Sequence, residues 1–256
     1  MTTIDWGAGQ YERTADELWP VAEHVVALAA LRGGERVLDA ACGTGNVALL
    51  AARAGADVVG LDGAPRLIEV ARSRVPDASF VAGDVQALPF ADGEFDVAFS
   101  VFGVIFAADA ERTVGGLLRV VRPGGRALVT AWVPAGAIDR MVGAFARAMT
   151  QAVGLTAPRL AWHDPAAIGP VVARHGADLR MHEGELTVVA ESPEAYLEAG
   201  EAHHPMSLAG RPLLERAGVY DEARGQALAA LREGNEDPAG FRATSPYRVL
   251  ELTRRR

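Results

Sequence analysis

Short, continuous apolar runs alternate with stretches of helical period through the first half of the chain. The runs at 36–40, 57–62, 79–82, 95–101 and 126–132 carry apolar residues consecutively instead of at every second position. That is the pattern of strands covered on both faces in a parallel sheet. Between them, 46–54, 65–74 and 110–121 carry helical spacing. Upstream, Leu18, Val21, Val25 and Leu28 fall on one face and predict an amphipathic helix over 16–31. The alternation predicts an α/β fold with a doubly wound, mostly parallel sheet.

After 132 the rhythm changes. Residues 134–163 and 192–244 are too long for simple connections. The first contains a helical stretch at 144–153, and the second opens on Ser192 and Pro193, an N-cap followed by proline at the first helical position. Between them, Asp164 and Pro165 start a helix that Gly176 stops, with a kink or restart expected at Gly169-Pro170. Residues 177–191 and 245–256 predict closing strands. The organisation expected is one domain over 1–256: a helical cap at 1–33, a core at 34–133, and cap insertions at 134–163 and 192–244.

Composition narrows the chemistry. Half of the 256 residues are hydrophobic, enough for a full core, and the formal charge is -8. An acidic chain is poorly suited to neutralising phosphates, so no nucleic-acid partner is expected. All 25 basic residues are arginine. The absence of lysine removes Schiff-base enzymes and the P-loop. Cys42 is the only cysteine, which excludes disulfides and thiolate zinc clusters, and no metal site is expected. No apolar run reaches the ~18 residues of a membrane span. A soluble cytoplasmic protein, monomer or homodimer, is expected.

The stretch "VLDAACGTGN" at 37–46 ends a strand in an aspartate and breaks into a loop with Gly43 and Gly45. Such a loop can embrace a pyrophosphate, but a carboxylate at its mouth repels one. Asp39 is therefore awkward for NAD and natural for a ligand with a positive centre, such as the ammonium and sulfonium of S-adenosylmethionine. Asp62, ending the second strand, suits ribose hydroxyls of either ligand. Asp39 and Asp84 can alternatively cap the turns that follow them, and Gly43 and Gly45 can serve backbone geometry alone.

Together, "VLDAACGTGN", "VVGLDGAPRLIEVAR", "VAGDVQALPF", "FDVAFSVFGVIF" and "RVVRPGG" resemble the ordered motifs of class I S-adenosylmethionine-dependent methyltransferases. The bacterial small-molecule group of quinone and natural-product biosynthesis is the nearest in pattern, over residues 10–132. The resemblance implies a seven-stranded Rossmann-like sheet whose last strand inserts antiparallel beside the sixth. It implies Asp39, Ala40, Ala41, Gly43 and Gly45 at the methionyl portion and Asp62 on the ribose. Asp84 with Val85 would take the adenine, with Leu61 and Gly63 flanking. Ser100 and Val101 would lie near the sulfonium, and Tyr11 would close the pocket. The turnover product would be S-adenosylhomocysteine.

Methyl transfer from a sulfonium needs chiefly in-line positioning, worth about 7–11 kcal/mol. A base matters only when the acceptor must lose a proton. His163 and His203 are the base candidates, while His24, inside a helix, is given a structural role. Trp19, Phe102, Phe106, Trp162 and His203 are the candidates for the pocket of a small, largely hydrophobic acceptor, with core packing the alternative for the aromatics. Two other functions remain: an NAD-dependent oxidoreductase, and a module that binds S-adenosylmethionine without turnover.

Overall fold

The computed structural model describes residues 4–154 and 160–256. Seven strands form one sheet, β1 (Arg36–Ala40), β2 (Asp57–Asp62), β3 (Ser79–Ala82), β4 (Phe95–Ser100), β5 (Val121–Trp132), β6 (Ala177–Ala190) and β7 (Phe241–Arg254). Their order is β3-β2-β1-β4-β5-β7-β6. The first five run parallel, and β7 inserts antiparallel to β5, with Trp132 opposite Tyr247. This is the layout that the motif resemblance implies.

Two compact units make up the chain. The sheet unit comprises Leu18–Trp132, Arg159–Gly184 and Tyr247–Arg256. The central parallel strands β1, β2 and β4 are buried along almost their whole length, which is why their apolar residues follow one another instead of alternating. Phe95, Phe99, Leu38 and Leu61 are fully buried there, each contributing ~1.5–3 kcal/mol relative to exposure. Its helices are α2 (Trp19–Ala29), α3 (Asn46–Arg53), α4 (Pro65–Arg74), α5 (Ala110–Val120) and α7 (Pro165–Arg174). The helical unit comprises Met1–Glu17, Val133–Pro158 and Glu185–Pro246. It holds α1 (Tyr11–Glu17), α6 (Gly136–Val153), α8 (Pro193–His203), α9 (Pro205–Arg216) and α10 (Tyr220–Glu233).

Three local expectations need correction. The helix expected over 16–31 is broken, with α1 ending at Glu17 and α2 starting at Trp19. Pro20 has no N–H to give the Asp16 carbonyl and sits in the first turn of α2, where a helix start accommodates it. The stretch "VRPGG", whose proline and glycines predict a tight turn into the fifth strand, makes its excursion inside β5, which begins at Val121. Phe95 pairs with Val121 and Val97 with Arg126, so 122–125 form a bulge with Gly124 at φ +76°. Helix α7 runs through Gly169-Pro170 unbroken from its Asp164 cap, whose side chain accepts the Ala166 amide. The Ser192 cap of α8 is as expected, accepting from the Ala195 amide.

Ala41 and Phe102, just past the ends of β1 and β4, hold left-handed backbones at φ +56° and +52°. Between them Gly103 is indispensable, because a Cβ there would lie 2.3 Å from the Ala41 Cβ and 3.1 Å from the Ser100 Oγ. Gly103→Ala should therefore cost ~1–3 kcal/mol of stability. Ala41→Gly, which removes the left-handed strain, should leave stability unchanged or raise it by up to ~1 kcal/mol. Urea unfolding of the two variants checks both signs.

Candidate functional site

The strand order reverses at β1, which has β2 on one side and β4 on the other. Chains leaving the carboxyl ends of such neighbours diverge and open a crevice. Two of the three described non-glycine residues with left-handed backbones, Ala41 and Phe102, border it, the third being Ala30 at the end of α2, and backbone strain of this kind concentrates at functional sites. The loop from β1 to α3 also carries Gly43 at φ +53° and Gly45 at φ +82°. Any side chain at Gly45 would in addition press on Ala71 of α4, 3.2 Å from its Cβ.

Two buried carboxylates stand behind this loop. Asp39, only 2% exposed, accepts the Ala48 amide at 3.1 Å. Burial, joined by the nearby Asp62 charge, pushes its pKa up to about 7. Asp62 accepts the Gly43 amide at 2.9 Å and the Ala64 amide at 2.8 Å. Burial raises its pKa too, and these amides hold it down. Between the two acids Cys42 is buried, and burial with both charges drives its thiol pKa well up; it packs as a small apolar side chain. Asp84 is exposed and accepts the Gln86 amide at 2.8 Å. Gly83 beside it lets Leu61 approach, since a Cβ there would be 3.1 Å from the Leu61 Cδ1. Gly63 is exposed, Leu61 and Ala40 are fully buried, and Val85 packs on the core.

Sequence reasoning missed Arg74. In the last turn of α4, its Nη1 donates to the Thr44 carbonyl at 2.7 Å, the Thr44 hydroxyl at 2.8 Å and the Asn46 Oδ1 at 2.9 Å. The guanidinium thus pins the glycine loop. A basic residue ending a helix signals only compensation of the helix dipole; which loop it reaches depends on helix packing.

On the β4 side, Ser100 is buried and its Oγ accepts the Val104 amide at 3.1 Å, with Val101 half-buried beside it. The Phe102 amide donates to the Thr130 Oγ1. Its ring stacks on Trp132 at 3.7 Å between centroids and meets Tyr247 edge-on. Tyr247 in turn lies 2.6 Å from the His24 Nδ1. This aromatic group at the carboxyl ends of β4 and β5 brings together residues that sequence reasoning kept apart, with only Phe102 named among them. Trp19 opens α2 and is half-buried, as is Phe106 on the 3-10 turn Val104–Phe106.

The two expected bases are not in one unit. His163 belongs to the sheet unit, where its carbonyl accepts from Arg248, whereas His203 belongs to the helical unit, its carbonyl accepting the Gln10 amide. Trp162 is 4% exposed and sits in the sheet unit's main hydrophobic cluster, a core residue instead of a pocket wall. Tyr11, in the helical unit, meets Trp6 edge-on. Trp6 also packs on His204, whose Nδ1 caps α9 by accepting the Met206 amide.

A family model described as a methyltransferase domain matches residues 38–129. An uncharacterized protein of Mycobacterium tuberculosis is 35% identical over 189 residues, 72% of this chain and 69% of that protein. The demethylmenaquinone methyltransferase of Beutenbergia cavernae is 46% identical over 114 residues, 44% of this chain and 47% of that protein. In fold, the chain is similar to the Haemonchus contortus phosphoethanolamine N-methyltransferase 2 solved with S-adenosylhomocysteine. The TM-score is 0.59 at 18% identity, over 93% of this chain and 53% of that one. The residues fit S-adenosylmethionine as cofactor: a buried, partly neutralised carboxylate behind the loop is chemistry that a cation completes, and Asp62 keeps unfilled acceptor capacity for hydroxyls. With its crevice, its two acids and its matched domain, the chain belongs to the class I S-adenosylmethionine-dependent methyltransferases.

Proposed function

We propose that the enzyme methylates a small, largely hydrophobic molecule of cofactor or natural-product biosynthesis. The observation that carries this reading is the aromatic group of Phe102, Trp132 and Tyr247 at the carboxyl ends of β4 and β5. Phe102 and Tyr247 are buried and Trp132 is half-buried, so the group gives the protein an apolar lining beside Ser100 and Val101, the residues assigned to the sulfonium. The partial likeness to a demethylmenaquinone methyltransferase points to the same acceptor class, and a net charge of -8 without lysine argues against a nucleic-acid acceptor.

In this reading Asp39 and the Ala40–Gly45 loop hold the methionyl portion. Asp62 accepts from the ribose hydroxyls, and Asp84 with Val85 receives the adenine between Leu61 and Gly63. S-adenosylmethionine supplies an already activated methyl group, so the protein's task is alignment. The buried acids orient the cofactor's cationic end, and the aromatic side chains exclude water.

Titration calorimetry with S-adenosylmethionine, S-adenosylhomocysteine and NAD tests the donor site directly. Micromolar binding of the two sulfur ligands and none of NAD is expected; the reverse would overturn the role given to Asp39. Arg74→Ala should weaken S-adenosylhomocysteine by ~10-fold through loss of charged hydrogen bonds to the loop. It should leave 5′-methylthioadenosine, which lacks the amino-acid portion, unchanged. Equal losses for both ligands would remove Arg74 from the methionyl side.

Asp39 links binding to protons. Its folded pKa lies above the ordinary 3.8, so folding favours the protonated acid. That contribution to stability is complete below ~4 and lost as pH rises through about 7. Asp39→Asn should therefore unfold at higher temperature than wild type in alkaline buffer, by on the order of 1–3 kcal/mol. The advantage should vanish toward pH ~4, where the wild-type acid is protonated in both states. A ligand ammonium beside Asp39 should also expel its proton. Binding heats measured just below the pH at which Asp39 titrates should then depend on the buffer's ionisation enthalpy in wild type and not in Asp39→Asn.

A further inference from the structure

One side chain ties the loop of Asp84 to the start of α5. The Asp109 amide donates to the Gln86 Oε1 at 2.8 Å. A backbone N–H only donates, so the carboxamide oxygen faces it and the Nε2 points the other way. There the Nε2 stands 3.4 Å from the Asp84 Oδ2 and 3.5 Å from the Oδ1, and the Gln86 backbone amide reaches the Oδ1 at 2.8 Å. Asp84 is exposed and Gln86 half-buried. An exposed carboxylate keeps its rotamer freedom unless something holds it, and a donor facing both of its oxygens sets its plane. The far end of this link is itself anchored. Asp109 caps α5, its carboxylate accepting the Arg112 amide at 2.9 Å and its carbonyl the Thr113 hydroxyl at 2.6 Å.

We propose that Gln86 is a positioning residue for cofactor selection: its carboxamide, fixed by the Asp109 amide, aims the Asp84 carboxylate and so sets the preference of the site for a purine bearing an amino group over one bearing a carbonyl there. An ionised carboxylate only accepts. It therefore pairs with an exocyclic amine and repels a carbonyl oxygen in the same place, and the discrimination is only as good as its aim. Glutamine is suited to both ends of the link. A glutamate would still accept the Asp109 amide, but its second oxygen would face the Asp84 carboxylate, and the two like charges would turn away from each other. A leucine would serve neither end. The inference rests on the adenine role given to Asp84 above.

The test titrates the full-length enzyme with S-adenosylhomocysteine and with S-inosylhomocysteine, which carries a carbonyl where adenine has its amine. Wild type should bind the adenosyl ligand ~10-fold more tightly, the worth of a hydrogen bond to a charged acceptor. Gln86→Leu and Gln86→Glu should both shrink that preference to ~3-fold or less, chiefly by weakening the adenosyl ligand. The ratio of the two affinities separates aim from architecture. A side chain that only joined two loops would, when lost, weaken both ligands alike, and glutamate would rescue it by keeping the oxygen that the Asp109 amide needs. A preference unchanged in Gln86→Leu, or retained in Gln86→Glu, would overturn the proposal while leaving Asp84 on the adenine. Equal affinity of wild type for the two ligands, or a preference that survives Asp84→Ala, would overturn the adenine reading beneath it.

Discussion

The Asp62 carboxylate ties the end of β2 to the glycine loop leaving β1, and the geometry of the crevice depends on that link. Its two oxygens take the amides of Gly43 and Ala64, fixing two loops that would otherwise have buried donors to satisfy. Asp39 makes the same kind of bond to the first turn of α3. Two acids buried this close raise each other's cost. Burial therefore disfavours the charged form of Asp39 in the empty fold, and that is the form a cation placed beside it would favour.

How much of this was legible in the sequence depends on what set each feature. β1 and β2 coincide with their apolar runs, because strands buried on both faces are written that way, and β3, at the sheet edge and half exposed, coincides as well. The start of β5 was hidden by Pro123, Gly124 and Gly125, residues that signal a turn and here form a bulge within a strand. The glycines and acids of the crevice were visible because their spacing is local. Arg74 and the His24–Tyr247 pair were not, since each is made by packing between elements distant in the chain, 30 and 223 residues apart.

The helical unit taught a different lesson. Many of its large side chains pack on one another. Phe145 and Met149 join Ala148, Leu214 and Tyr220 in one buried cluster. Tyr196 lies 5.1 Å from Phe241 between ring centroids, beside Leu197, Ala227 and Leu231 in another. Tyr220 spends its hydroxyl on Glu201 at 2.6 Å, which Arg224 also pairs at 2.9 Å. A unit of short helices must bury its own apolar faces before it can offer any to a ligand.

The lysine-free composition acquires a structural meaning in the sheet unit. Besides Arg74, Arg72 donates to the Phe80 carbonyl, and Arg119 to those of Leu88 and Phe90. Arg254 reaches the carbonyls of Arg119 and Val121, and Arg248 that of His163. These carbonyls lie where strands and helices end, in loops or, for Phe80, on the edge strand β3, positions where acceptors are left outside the regular ladders. A guanidinium, planar and with five donors, can bind two carbonyls at once while its stem packs on apolar surface. A lysine ammonium carries three donors at a single nitrogen and is more strongly hydrated. The fold uses its arginines as clamps on loop ends, and Arg74 does so on the glycine loop after β1.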